Sequence, residues 1–272
     1  MRRSLSISSL VDVTREELAF LPLGENGAGG SPRLCLSLQR AGDMKRPGAG
    51  DGVAEDDSGG GAAEEGDPRA EGAGRRRSEL FRRLAIEGRR VASLRQVHSQ
   101  SVVVVEDDWN AAGEGDGLLT ADPRFCLAVT VADCLPIFLH DRSRGAFALV
   151  HSGWRGTGIA QVALERMARR FGTKPSDVRA VIGPGIGACC YRVSDERAEL
   201  FRRDWGAESV VAHDGGVYLD LPGINERMLA SAGVPELTLI SDCTSCSDFL
   251  GSFRREGPER YTRMLALIGH FG

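Results

Sequence analysis

Three short stretches of the chain each end in a donor for a soft metal: Arg95-Gln-Val-His98, Val131-Ala-Asp-Cys134 and Leu149-Val-His151. Neutral imidazole and thiolate both bind zinc well. Two His and one Cys leave a fourth tetrahedral position for water or substrate, which is how a catalytic rather than a structural zinc is held. The same side chains admit other chemistry. A blue-copper centre also uses two His, a Cys and a weak axial ligand. Cys134 as nucleophile, with His151 or His98 as base and Asp133 as orienter, would make a cysteine hydrolase. Spacing does not choose among these, because residues so far apart form a site only if the fold brings them together. A lone buried Cys is more often packing than ligand.

The turn His151-Ser-Gly-Trp-Arg-Gly156 adds a second kind of chemistry. It leads into an amphipathic helix, and glycines at 153, 156 and 158 leave its backbone open. Free N–H groups at a helix start beside Arg155 make an anion site, with phosphate the expected occupant. The alternative is a tight turn in which Trp154 packs and Arg155 points to solvent. Gly183-Pro-Gly-Ile-Gly187 is a further glycine-rich turn, but it has neither the Walker ending nor the dinucleotide spacing. Cys189-Cys190 and Cys243-x-x-Cys246 could in principle assemble a four-cysteine metal site, but the pairs belong to different motif types and only one has the usual spacing, so they read as structural thiols and one zinc per chain is expected. Five histidines with no His-x-His pair cannot supply a multicopper cluster. His140 decorates a turn, and His213 and His270 belong to no constellation.

These residues must be carried by strands and helices. Residues 33–39 alternate like a strand, and 101–106, 126–131, 137–140, 146–150, 178–182 and 237–240 read as short buried strands. Helices are expected over 157–171, closed by Gly172, over 194–205 and over 222–232, with Pro222 in its first turn. Residues 78–84 also have helical spacing. Strands first in succession and then alternating with helices point to a mixed sheet covered by helices. Residues 47–74 are dominated by Gly, Ala, Asp and Glu and read as a disordered insertion. The run Arg75-Arg-Arg77 after it reads as a solvated helix start. The expected organisation is an N-terminal part over 1–46, the insertion over 47–74 and a catalytic core over 75–272.

Composition excludes several classes. At 42% hydrophobic and 26% charged residues the chain is an ordinary globular protein, not a coiled coil or a disordered one. Its net charge of −4 lacks the positive field that nonspecific nucleic-acid binding needs. No apolar run reaches the roughly 18 residues of a membrane span. Seven scattered cysteines do not resemble a disulfide framework. A cytoplasmic protein with reduced thiols and no cleaved signal is expected.

Several separated blocks resemble one family. Gln96-Val-His98, Asp116-Gly-Leu-Leu-Thr120, Ala132-Asp-Cys-Leu-Pro136, His151-Ser-Gly-Trp-Arg-Gly156, Gly183-Pro-Gly-Ile-Gly-Ala-Cys-Cys-Tyr191, Asp242-Cys-Thr244 and Ser252-Phe-Arg-Arg-Glu-Gly257 occur in the order of the YfiH-type laccase-domain family. Its members, once labelled multicopper polyphenol oxidases, are regarded as purine nucleoside phosphorylases. The resemblance implies an α+β fold, a single-domain four-layer α/β/β/α sandwich with mixed sheets. It implies zinc on His98, Cys134 and His151, with copper as the alternative metal. The implied activity is phosphorolysis of adenosine, inosine, guanosine and methylthioadenosine, with adenosine deamination as a further activity. Catalytic roles fall to Cys134, His151 and Arg155, and substrate contacts to Asp116, Asp133, Gly153, Trp154 and Gly156. The expected partners are purine nucleosides and phosphate, with no nucleic acid and no membrane; the oligomeric state is left open.

Overall fold

The computed structural model describes residues 1–23, 31–45, 68–87, 89–107, 109 and 113–271. In chain order the first elements are β1 (Arg2–Leu5), β2 (Leu18–Leu21), β3 (Arg33–Ser37), α1 (Pro68–Arg83), β4 (Arg90–Ala92), β5 (Val102–Val104) and β6 (Gly117–Thr120). Then come β7 (Phe125–Val131), β8 (Leu135–Asp141), β9 (Phe147–Ser152), α2 (Ile159–Phe171), β10 (Val178–Ile182), β11 (Arg192–Val193) and α3 (Asp195–Trp205). The last are β12 (Val210–His213), β13 (Gly216–Leu219), α4 (Leu221–Ser231), β14 (Glu236–Ile240), α5 (Phe253–Glu256) and β15 (Met264–Gly269).

Side chains on a strand alternate between its two faces, and that alternation builds three separate cores. On β7, Phe125, Leu127, Val129 and Val131 face inward and meet Leu34 and Leu36 of β3, Ala266 and Ile268 of β15, Phe138 of β8, and Phe147 and Leu149 of β9. The intervening Cys126 and Ala128 turn the other way, toward Leu80 of α1 and Leu84 just beyond its end. On β8 and β9 the residues Leu135, Ile137, Leu139, Ala148 and Val150 pack against Ile159, Ala163 and Met167 of α2 and Ile224 and Leu229 of α4. The layers are therefore helix, five-stranded sheet, seven-stranded sheet and helices, an α+β single domain. Phe125, Phe138 and Phe147 are fully buried between the sheets, each worth about 1.5–3 kcal/mol of apolar burial.

The larger sheet runs β1-β14-β10-β8-β9-β6-β5 and the smaller β2-β3-β15-β7-β4, with β11-β13-β12 as a minor third. Both large sheets are mixed: β10 pairs β14 in parallel and β8 in antiparallel fashion, and β7 pairs β4 in parallel and β15 in antiparallel fashion. Covered on both faces, their central strands read as nearly unbroken apolar runs.

Local signals set the helix ends. Gly172 closes α2 in the left-handed conformation at φ 66°, Ser194 Oγ accepts the Arg197 N–H at the start of α3, and Asp220 accepts from Gly223 N–H ahead of Pro222 in α4. Two expectations need correction. Helix α1 begins at Pro68, so the last residues of the expected 47–74 insertion are helical, and Ala73 is fully buried; residues 47–67 lie outside the described residues. The Arg75-Arg-Arg77 run is not wholly solvated either. Arg76 Nε donates to the Asp43 carbonyl and Arg77 Nη1 to that of Met44, which ties α1 to the strand side of the domain. Among the described residues, no helix is long and apolar enough to cross a membrane.

Candidate active site

His98 lies in the loop between β4 and β5, Cys134 in the bend between β7 and β8, and His151 on β9, where it pairs with Pro136 across the sheet. The fold brings the three together: their ligand atoms all lie within 4.8 Å of one another, a group that could hold a metal ion. The imidazole rings meet edge-on, with centroids 4.8 Å apart. Two of the four non-glycine residues with left-handed backbone among the described residues sit here, His98 at φ 58° and Asp133 at φ 80°. Such conformations cost about 1–3 kcal/mol each and persist only where neighbours enforce them. Gly153 makes the approach possible, since a Cβ there would stand 2.6 Å from Cys134 Sγ.

Asp116 is the enforcing neighbour of His98. It is completely buried, and its two oxygens accept five hydrogen bonds: from the N–H groups of Val97, His98 and Ser99, the Ser99 hydroxyl, and His151 Nδ1 at 2.8 Å. The Asp116 carbonyl also accepts the His151 N–H at 2.7 Å. This carboxylate fixes the imidazole's orientation and leaves Nε2 as the ligand atom, the usual support of a metal-binding His. Asp116, expected to touch substrate, is buried here and its two oxygens are engaged by the His98 loop and His151.

The electrostatics suit a thiolate. Burial pushes the Cys134 thiol up, but the adjacent His151 and His98 outweigh it and bring its pKa down to about 6. Burial opposes charge on His151, yet the Cys134 thiolate and the Asp116 hydrogen bond raise its pKa to about 10. For Asp116, burial is outweighed by His151 and Ser99, and its carboxyl is held below the usual range.

Asp133 also serves the scaffold. Its Oδ1 accepts the Thr244 hydroxyl at 2.6 Å, its Oδ2 the Arg254 N–H at 2.7 Å, and its carbonyl the Ile186 N–H. These bonds pin the bend that carries Cys134. Gly156 is a close-approach residue, where a Cβ would stand 2.9 Å from the Ser99 carbonyl. The start of α2, where an N–H anion cradle was expected, packs closely against its neighbours. Thr157, Ile159 and Ala160 are buried, the Ile159 N–H is spent on the Gly156 carbonyl, and Gly158 backs onto Trp205.

What the turn does present is Trp154 and the exposed Arg155, whose guanidinium lies 4.9 Å from the Trp154 ring centroid. Residues not singled out from the sequence complete this wall. Arg197 of α3 covers Trp154 at 4.1 Å, and Arg254 covers Tyr191 at 5.4 Å. The Tyr191 phenol is pushed up, first by burial and then by the Cys134 thiolate nearby. Tyr191 ends the Gly183–Tyr191 stretch that carries the family resemblance, whereas Arg197 has no sequence signal beyond its place in the first turn of a capped helix. Gln96 likewise stands in such a stretch without an expected role; its side chain bridges the Thr130 backbone on β7 and so anchors the His98 loop.

Known proteins of one family are similar to this chain. The profile of the multi-copper polyphenol oxidoreductase laccase family matches residues 52–270. A purine nucleoside phosphorylase of Deinococcus radiodurans is 37% identical over 195 residues, covering 71% of this chain and 75% of the relative. The adenosine deaminase RL5, from an unknown prokaryotic organism, is 34% identical over 56% of this chain and 64% of its own length. The crystal structure of YlmD from Geobacillus stearothermophilus superposes with a TM-score of 0.75 at 30% identity, covering 94% of this chain and 97% of that one. The chain belongs to the YfiH-type laccase-domain family.

Proposed function

We propose that the chain is a zinc-dependent purine nucleoside phosphorylase, converting nucleosides such as adenosine, inosine, guanosine and methylthioadenosine to free base and sugar 1-phosphate. One observation carries the reading: a three-donor centre whose His151 is locked by a buried carboxylate, beside a wall of aromatic rings and guanidinium groups. His98, Cys134 and His151 would hold the ion. The donor set fits zinc, with two imidazoles, a thiol inclined to ionise, and one tetrahedral position left over. The chemistry a zinc ion supplies in such a site is Lewis-acid polarisation of a purine nitrogen or, for deamination, of a water.

The chain's own residues account for the rest. Trp154 and Tyr191 offer ring faces against which a purine stacks. Arg155 supplies a forked cation that matches a phosphate. A phosphate oxygen attacks C1′ as the glycosidic bond breaks, and the bonding pair leaves with the purine. The positive charge that develops on the sugar is met by the phosphate itself. Holding both reactants on one wall replaces a dilute encounter with a positioned one.

Adenosine deamination at the same centre is the second reading, supported by the relative that carries that name. Among the described residues no further histidine joins the centre to build a copper cluster. His140 pairs with Phe147 at the far end of the β8–β9 ladder, His270 packs edge-on against Phe147, and His213 stacks on Tyr218. A cysteine hydrolase would have Asp116, not Asp133, behind His151. A nucleophilic thiol reacts with iodoacetamide whether or not metal is bound, whereas a ligated one is shielded until chelation. The deciding experiment is incubation with inosine: hypoxanthine and ribose 1-phosphate should form only when phosphate is supplied. Base release at the same rate without phosphate, yielding free ribose, would sink the phosphorylase assignment.

A further inference from the structure

The four remaining clustered cysteines lie in two loops at the same end of the larger sheet. The loop after β10 carries Cys189 and Cys190, and the loop after β14 carries Cys243 and Cys246. Because β10 and β14 run parallel and adjacent, both loops leave the sheet on the same side, and they join through a bridge between Gly185 and Cys243 and a 3.0 Å bond from Thr244 N–H to the Gly185 carbonyl. All four sulfurs then lie within 4.8 Å of one another, with Cys189 and Cys246 at 3.6 Å and Cys190 and Cys246 at 3.3 Å.

We propose that Cys189, Cys190, Cys243 and Cys246 form a second metal site, a structural zinc held by four thiolates. The spacing fits: thiolates about 2.3 Å from a tetrahedral zinc stand about 3.8 Å apart. No pair is at the roughly 2.05 Å of a disulfide, and all four are free thiols. Packing does not explain them. Cys35 and Cys126 are fully buried and fill a core, whereas Cys189 and Cys246 are exposed. The backbone is shaped around the sulfurs as well. The N–H groups of Cys246 and Ser247 turn back to the Cys243 carbonyl, and the Gly187 N–H points at Cys243 Sγ from 3.3 Å, a donor suited to a thiolate. Gly187 lies directly against the cluster, where a Cβ would touch Cys189 Sγ at 3.4 Å and Cys243 Cβ at 3.5 Å. Four protein ligands leave no position for substrate, so the site closes a fold rather than running a reaction. Binding exchanges the thiol protons for the ion, and no electron moves. Its structural consequence lies one residue away, where Thr244, between the two cysteines of the second loop, holds Asp133 beside Cys134.

The test is metal content of the full chain purified without chelator. About two zinc ions per chain are expected. The Cys243→Ser/Cys246→Ser double variant should lose one, and Cys134→Ala should lose the other. The Cys134→Ala variant, stripped and given cobalt(II) alone, should show the intense thiolate-to-cobalt charge transfer and the visible bands of a tetrahedral four-sulfur site; this reading survives even if the double variant fails to fold. A single zinc that vanishes in Cys134→Ala overturns the proposal, as does a colourless cobalt titration, or a disulfide among these four cysteines in the native protein. None of these outcomes depends on which nucleoside reaction the other centre performs.

Discussion

The two clusters of ligands in this molecule are built by the same device and finished differently. Each gathers side chains from segments distant in sequence near the ends of adjoining strands, and in each the donor atoms lie within 4.8 Å. At His98, Cys134 and His151 the donors are mixed, and a buried carboxylate stands behind them. At the four cysteines the donors are all sulfur, two of them exposed, and the support is backbone N–H. The difference separates two tasks. A three-donor set aligned by charged partners keeps one coordination position available, while a four-donor set supported by the main chain uses every position to hold loops together.

The largest effect that would break this contrast comes from Asp116→Asn. The amide keeps the size of the carboxylate but brings a donor to face the Val97, His98 and Ser99 N–H groups and removes the charge opposite His151. Metal affinity at the mixed centre should fall about 10–100-fold in a chelator competition. If both centres hold zinc as proposed, the ion at the mixed centre should become easy to remove and the one at the cysteines should not. Equal retention of both would mean that the carboxylate does not support a ligand.

Arg155→Ala sharpens the contrast from the substrate side. The guanidinium is exposed and lies over Trp154, with Arg197 on the same ring. One charge-assisted contact is worth about 1.5–3 kcal/mol, and its exposure favours the lower end. The phosphate KM should rise about tenfold, with the nucleoside KM and the zinc content unchanged. A phosphate KM that stays put removes Arg155 from the site and leaves the phosphorylase reading to the product assay.

How far these centres were legible in the sequence depends on the range of the interaction. Strands such as Phe125–Val131 were readable because burial on both faces leaves a run of apolar residues, and α2 and α3 because Gly172 and Ser194 mark their ends. The edge strand Arg2–Leu5 was not, since its residues are polar and half-exposed and its pairing comes from β14, more than 230 residues away. Helix α1 was cut short because Gly and Ala before Arg75 carry no apolar stripe, although Ala73 packs into the core. The residue types of the mixed centre were visible, but Asp116 was assigned to substrate because hydrogen bonds from a loop 17 to 19 residues upstream leave no periodic trace. The four cysteines read as structural thiols because only one of the two pairs has a ligand spacing that sequence can show. Only the parallel pairing of β10 with β14 makes neighbours of Cys190 and Cys246.

The smallest expected effect tests whether the two centres are independent. Thr244 sits between Cys243 and Cys246 and is fully buried, and its hydroxyl donates to Asp133 Oδ1 at 2.6 Å. Asp133 holds its left-handed backbone next to Cys134 with that bond and the one from Arg254 N–H. Thr244→Val keeps the shape and deletes only the donor, so one oxygen of a nearly buried carboxylate loses a charge-assisted partner worth about 1.5–3 kcal/mol. The Tm should drop by several degrees. If the cysteine loop braces the bend, zinc should also leave the mixed centre a few-fold faster and kcat should fall by a similar factor, while the cobalt spectrum of the four-sulfur site stays unchanged. A lower Tm with unaltered zinc release and kcat would show that Thr244 stabilises the fold without transmitting anything to Cys134, and the two centres would then share only a sheet.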